Sequence, residues 1–80
     1  MPRDNILIPQ TREGRMLRER RLELGLSQLE IAIECGMNIQ QYQRYEYGVR
    51  SLAKIRMETG LKICAVLELD PYDLLFPDSI

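Results

Sequence analysis

The stretch from Ser27 to Gly48 limits what this chain can fold into more than any other. Ser27 carries a hydroxyl that can accept a backbone N–H two or three residues on, which makes it an N-cap. Glu30 follows three positions later and completes a capping box. Ile31, Ala32 and Cys35 then recur at helical spacing on one side, with Glu30 and Glu34 facing away. Gly36 supplies the left-handed residue that ends a helix. Met37 is a short apolar plug, and Asn38 is a second N-cap. A second helix is expected over 39–46. At roughly 100° per residue, Tyr42 and Tyr45 share one of its faces, while Gln40, Gln43 and Arg44 share the other. Gly48 closes the unit, which is two short helices joined by a tight turn.

A short helix with an aromatic inner face and a Gln/Arg outer face suits the major groove of DNA. Glutamine bonds bidentately to adenine, and arginine to guanine. The alternative is that the glutamines form an ordinary solvated face. The surrounding pattern favours the groove.

The segment LRERRLELGLSQLEIAIECGMNIQQYQRYEYG, starting at Leu17, resembles the Cro and phage-repressor type of helix-turn-helix, also called the xenobiotic-response-element family. The resemblance runs from about Arg12 to Phe76. It is carried by Gly25-Leu26-Ser27-Gln28, by the small residue plus Gly36 in the turn, and by Arg44, Tyr45, Glu46 and Gly48. It implies an all-α fold, a compact five-helix lambda-repressor-like DNA-binding domain. That domain would span 11–77, with the motif at 27–48, after an N-terminal extension (1–10) and before a tail (78–80). By the same resemblance, Asn38, Ile39, Gln40 and Arg44 meet base edges. Ile39 departs from the polar residue common at its position and suits a thymine methyl group. Arg44 reads guanine or holds a phosphate. Ser27 and Gln28 match positions that touch the DNA backbone. Ser27 as a cap alone is the other reading, and both are compatible because a hydroxyl donates as well as accepts.

The first helix is expected from Arg12 to Leu24, with Leu17 and Leu24 on one stripe. Arg21 lies roughly 40–60° off that stripe, close enough to be partly buried. A buried guanidinium needs a partner, and the resemblance supplies one as a structural tie, Arg21 to Glu46. Arg12, Arg15 and Arg18 are expected in solvent, with a phosphate contact as the alternative. Gln41 and Gln43 sit at the flanks of the recognition helix and are expected on phosphates. Tyr47 is placed beside the DNA backbone. The loop VRSLAKIR is longer than the family's usual link. Arg50, Ser51, Lys54 and Arg56 make it basic, with Arg50 and Lys54 as the phosphate contacts, while Leu52 and Ile55 anchor it.

A fourth helix from Arg56 to Leu67 presents Met57, Gly60, Leu61, Cys64 and Leu67 as its main apolar face. Asp70 caps a last helix with Pro71 in its first turn, and Pro77 ends it. Tyr72, Leu74, Leu75 and Phe76 are generous apolar surface for so short an element. Part of it should dock on the first helix. The rest, with Ile63 and Val66, suits a twofold homodimer through the C-terminal helices, as in related repressors; a monomer is the alternative.

Composition narrows the function classes. Eighty residues make one domain, near the size at which a core holds alone. The net charge of −1 is unhelpful for DNA binding. Its distribution matters more: the chain is net +3 through residue 56 and net −4 after it, from 10 basic against 7 acidic and 1 against 5. An acidic end turned away from DNA fits that division. With no histidine and no C-x-x-C, a metal site lacks ligands. Cys35 and Cys64 are expected as small core residues in a reducing compartment. No Gly-rich phosphate loop appears and neither cysteine has a basic neighbour, so no enzyme is expected. No cofactor and no small-molecule ligand are implied. The chain lacks an apolar run of membrane length and a signal peptide's apolar region, so no membrane partner is expected and the cytoplasm or nucleoid is.

Double-stranded DNA is therefore the expected partner, and a sequence-specific transcriptional regulator, a repressor, the expected function. The acidic tail and apolar N-terminal arm motivate the alternative of a protein-interaction module, such as an antitoxin or a mobile-element partner protein. The extension itself, with Asn5 to Pro9 bounded by prolines, packs back, pairs across a dimer or stays loose, and Arg3 is within its reach of a groove.

Overall fold

Four of the five helices among residues 8–76 begin where a side chain satisfies one of the first free backbone N–H groups; the helix that follows Arg56 has no such cap. The computed structural model describes residues 8–76. Thr11 caps α1 (Arg12–Glu23) by accepting from the Gly14 N–H. Ser27 and Glu30 form a reciprocal capping box at the start of α2 (Gln28–Glu34). Asn38 and Gln41 form a second one at the start of α3 (Ile39–Tyr47). A 3-10 turn at Leu52–Lys54 leads into α4 (Met57–Leu67). Asp70 then caps α5 (Pro71–Leu75), with Pro71 in the first turn. The described residues hold five helices and no strand. Arg3, Asn5, Pro77 and the tail at 78–80 lie outside them.

The turn between α2 and α3 uses Gly36 at φ +69°, where a Cβ would cost roughly 1–2 kcal/mol. It aims α3 across α2, and α1 packs on α3 from the other side. Leu17, Ile31, Ala32, Tyr42, Leu52, Ile63, Leu67 and Leu74 form the buried core with both cysteines. Burial pushes the Cys35 and Cys64 thiols up, so both stay neutral in this interior. Pro9 is buried, and the Gln10 N–H donates to the Tyr47 carbonyl at 3.1 Å. This end of the extension is thereby packed on the C-terminus of α3.

Two expectations differ from what is found. The buried face of α4 is Ile63, Cys64 and Leu67 rather than one led by Met57 and Leu61. Ile63 is 0% exposed, whereas Met57 is 78% and Leu61 49% exposed. Ile63 is thus a core residue and is not on a dimer surface. The helix is turned by roughly 50° from the expected orientation. It carries apolar residues over an arc wider than the buried stripe, so spacing alone does not choose its inner side. Arg12 is not left in solvent. Its guanidinium donates to the Leu74 carbonyl of α5 and to Met16 Sδ at 2.7 Å. That tie occupies one of the orphan carbonyls at the C-terminus of a short helix. As expected, part of α5 docks inward, with Leu74 deeply buried, while Tyr72 and Phe76 face outward with their rings 5.5 Å apart.

Candidate nucleic-acid interface

One carboxylate organises the surface that α2 and α3 share. Glu46, in the last turn of α3, is 1% exposed. A buried charge is tolerated only when paired and saturated with hydrogen bonds. Arg21 of α1 supplies a bidentate pair, Nε to Oε2 and Nη2 to Oε1, both at 2.9 Å. Tyr42 Oη donates to Oε2 at 2.7 Å, and Gln28 Nε2 to Oε1 at 2.9 Å. Four donors therefore meet one carboxylate, drawn from α1, α2 and α3. The Glu46 hydrogen bond raises the Arg21 pKa further, and burial pushes the Tyr42 phenol well up, so both remain protonated donors. Arg21 also holds the Leu26 carbonyl at 3.0 Å, which fixes the entry into α2.

The network then reaches the outer surface. Gln28 was expected to touch the DNA backbone, but its side chain is turned inward. Its Nε2 is spent on Glu46 and on Tyr47 Oη, the latter at 3.1 Å. Its Oε1 accepts from Gln43 Nε2 at 2.9 Å. A carboxylate at Glu46 draws the amide in more strongly than solvent holds it out. Tyr47 is thereby tied to the start of α2.

The other expected site residues fall into three placements. Gln40 and Arg44 are exposed on the outer face of α3. Asn38 and Gln41 are exposed too, yet each holds the other's backbone: the Gln41 N–H donates to Asn38 Oδ1 at 2.9 Å, and the Asn38 N–H to Gln41 Oε1 at 3.2 Å. Ile39 is half-buried against the core, which leaves only part of its side chain outward. Ser27 is exposed at the cap of α2, and its neighbour Gln28 links it to α3.

Beyond Gly48 the loop adds positive charge. Arg50, Lys54 and Arg56 are exposed and, like Arg44, have no ion pair among the described residues. Arg44, Arg50 and Arg56 line a polar hollow of about 310 Å³ together with Gln41, Tyr45 and Thr59. No acidic side chain lines it. Arg20 and Lys62, by contrast, are paired with Glu23, Glu68 and Glu58. Four cations without an ion pair among the described residues, Arg44, Arg50, Lys54 and Arg56, therefore stand on α3 and the loop that follows it.

Sequence reasoning missed two parts of this arrangement. The Tyr42 hydroxyl as a Glu46 ligand was signalled by the i, i+4 spacing within α3, which places the two on one face. Thr59 at the hollow had no such signal, because the path of the loop brings it there beside Arg56. No group of His, Cys, Asp or Glu among the described residues is arranged to hold a metal ion. No helix among them is long and apolar enough to cross a membrane.

A helix-turn-helix family model matches residues 17–74, from the middle of α1 to α5. No curated protein and no solved structure gave a significant match.

Proposed function

The chain belongs to the Cro and phage-repressor type helix-turn-helix family, and from that premise we propose that it is a sequence-specific DNA-binding transcriptional regulator acting as a repressor. The observation that carries this reading is the outer face of α3, where Gln40 and Arg44 stand clear beside the unpaired Arg50, Lys54 and Arg56. With α3 in the major groove, Gln40 has the donor and acceptor for adenine, and Arg44 the fork for guanine. Asn38 and the exposed part of Ile39 lie at the same end of the helix. Ser27, Gln41, Arg50 and Lys54 hold phosphates and set the register, which carries no sequence information itself. Repression follows from occupying a promoter.

A homodimer would place two such helices about 34 Å apart on a near-palindromic site. The surface that supports it is the apolar groove of about 300 Å³ between α4 and α5, lined in part by Met57, Leu61, Pro71 and Leu75. Leu61→Glu is expected to convert a dimer to a monomer in sedimentation, and to weaken binding to a full site more than to a half-site. A monomeric parent chain overturns that arrangement. The same groove favours the second reading, a protein-interaction module, in which a different protein occupies it.

Selection from a random duplex pool at two salt concentrations tests the main reading. An enriched near-palindrome whose binding falls steeply with salt is expected. Gln40→Ala should change base preference at one position by about 1–3 kcal/mol. Arg50→Ala should weaken all sequences alike. No enrichment at low salt overturns the proposal in favour of the interaction module.

A further inference from the structure

Gln43 sits on α3 one helical turn after Ile39, on the side nearest α2, and its amide does not choose its own orientation. The chain of cause begins at Glu46. Facing the Arg21 guanidinium, the Glu46 carboxylate only accepts hydrogen bonds. Gln28 must therefore turn its NH₂ group to Glu46 Oε1, at 2.9 Å, and its oxygen the other way. That oxygen can be met only by a donor. Gln43 accordingly turns its NH₂ group towards it, also at 2.9 Å. Tyr47 Oη, 3.1 Å from Gln28 Nε2 and 3.4 Å from Gln28 Oε1, braces the Gln28 amide from the side.

What remains on Gln43 is a carbonyl oxygen and one N–H. Phosphate oxygens only accept, so a phosphate could take the spare N–H but would leave the carbonyl oxygen without a partner. A flank position suggested a phosphate contact for Gln43; with its amide tethered, a phosphate would use only one of its two remaining groups. In the major groove, adenine offers a donor at N6 beside an acceptor at N7, which matches an oxygen and an N–H. Guanine offers two acceptors there, and would set one against the Gln43 oxygen.

We propose that Gln28 is a positioning residue which, held by Glu46, sets Gln43 to read an adenine in the major groove. The proposal rests on the DNA-binding reading above. It gives the chain a second glutamine reader besides Gln40, and it gives Gln28 a role in base choice although its own amide is turned inward.

The test is site selection from a random duplex pool with the full chain, comparing the parent with Gln43→Ala, Gln28→Ala and the double variant. Melting curves are recorded for each. The parent is expected to enrich adenine at one base pair per half-site that Gln40→Ala leaves unchanged. Gln43→Ala should reduce that preference roughly tenfold and leave the other positions intact. Gln28→Ala should reduce it at the same base pair, and the double variant should be no worse than the stronger single one. A merely structural role for Gln28 would instead weaken all sequences equally. Gln43→Ala, on a half-exposed helix face, keeps the test decisive should Gln28→Ala fold poorly. A uniform loss in Gln43→Ala would identify a phosphate contact and overturn the proposal. So would an unaltered preference at that base pair in a folded Gln28→Ala. Either result with an enriched parent site removes the relay alone. A parent chain that enriches nothing removes the DNA-binding reading and the relay together.

Discussion

Glu46→Ala is expected to destabilise the domain by about 3–5 kcal/mol, the range for breaking a buried ion pair from one side. The carboxylate accepts four hydrogen bonds, and its removal takes that acceptor from Arg21, Tyr42 and Gln28 alike. Arg21, whose side chain is 11% exposed, would keep only the Leu26 carbonyl among its observed partners. The Tyr42 hydroxyl would be left in the core with no acceptor, and an orphaned buried donor costs about 1–3 kcal/mol by itself. The cavity left by the lost side chain adds to this. Glu46→Gln should recover part of the loss, because one amide oxygen remains, but its NH₂ would face a fork that needs two acceptors. Chemical denaturation with the parent and both variants measures the difference. An unchanged midpoint for Glu46→Ala would show that the pair contributes nothing to holding α1, α2 and α3 together.

Gly14→Ala is expected to cost about 3 kcal/mol, the upper end of the usual overpacking range. In an ordinary helix interior this substitution stabilises by about 1 kcal/mol, so the sign alone is informative. Gly14 is buried in α1 where that helix crosses the end of α3. A Cβ there would lie 2.2 Å from the Glu46 carbonyl oxygen and 3.0 Å from Thr11 Oγ1. The first of these is backbone, so no rotamer change relieves it. The two helices would have to separate, and the Arg21–Glu46 pair spans the same crossing. Loss of cooperativity or a lowered denaturation midpoint is the expected result. A gain in stability would mean that α1 does not lie against the α3 backbone at this point. Gly14 drew no attention in the sequence, since a lone glycine inside a helical pattern does not say what lies across from it.

The family pattern and the helix boundaries were legible because their causes are local. Ser27 with Glu30, and Asp70 with Pro71, act within three residues of the backbone groups they serve. Arg21 and Glu46 were legible as a pair through the resemblance, while the donors from Tyr42 and Gln28 were not. The face of α4 differs from expectation because Met57, Leu61, Ile63, Cys64 and Val66 spread over an arc wider than the buried stripe, and the Glu58–Lys62 side alone does not say which part of that arc turns inward. Arg12 was placed in solvent because its partner carbonyl at Leu74 is 62 residues away.

What local chemistry in the chain decided is where helices start and stop, which short unit faces a groove, and where free cations cluster. Caps, left-handed glycines and 3.6-residue spacing act between near neighbours and survive any packing of the whole. What only the packed fold decided is which polar groups are consumed inside it. Gln28 and Gln43 are both glutamines on a solvent-facing pattern, yet one is drawn in by Glu46 and thereby orients the other. That outcome depends on a carboxylate brought from the far end of α3 into the path of α1 and α2. A buried charge takes every donor within reach, and reach is a property of the assembled helices.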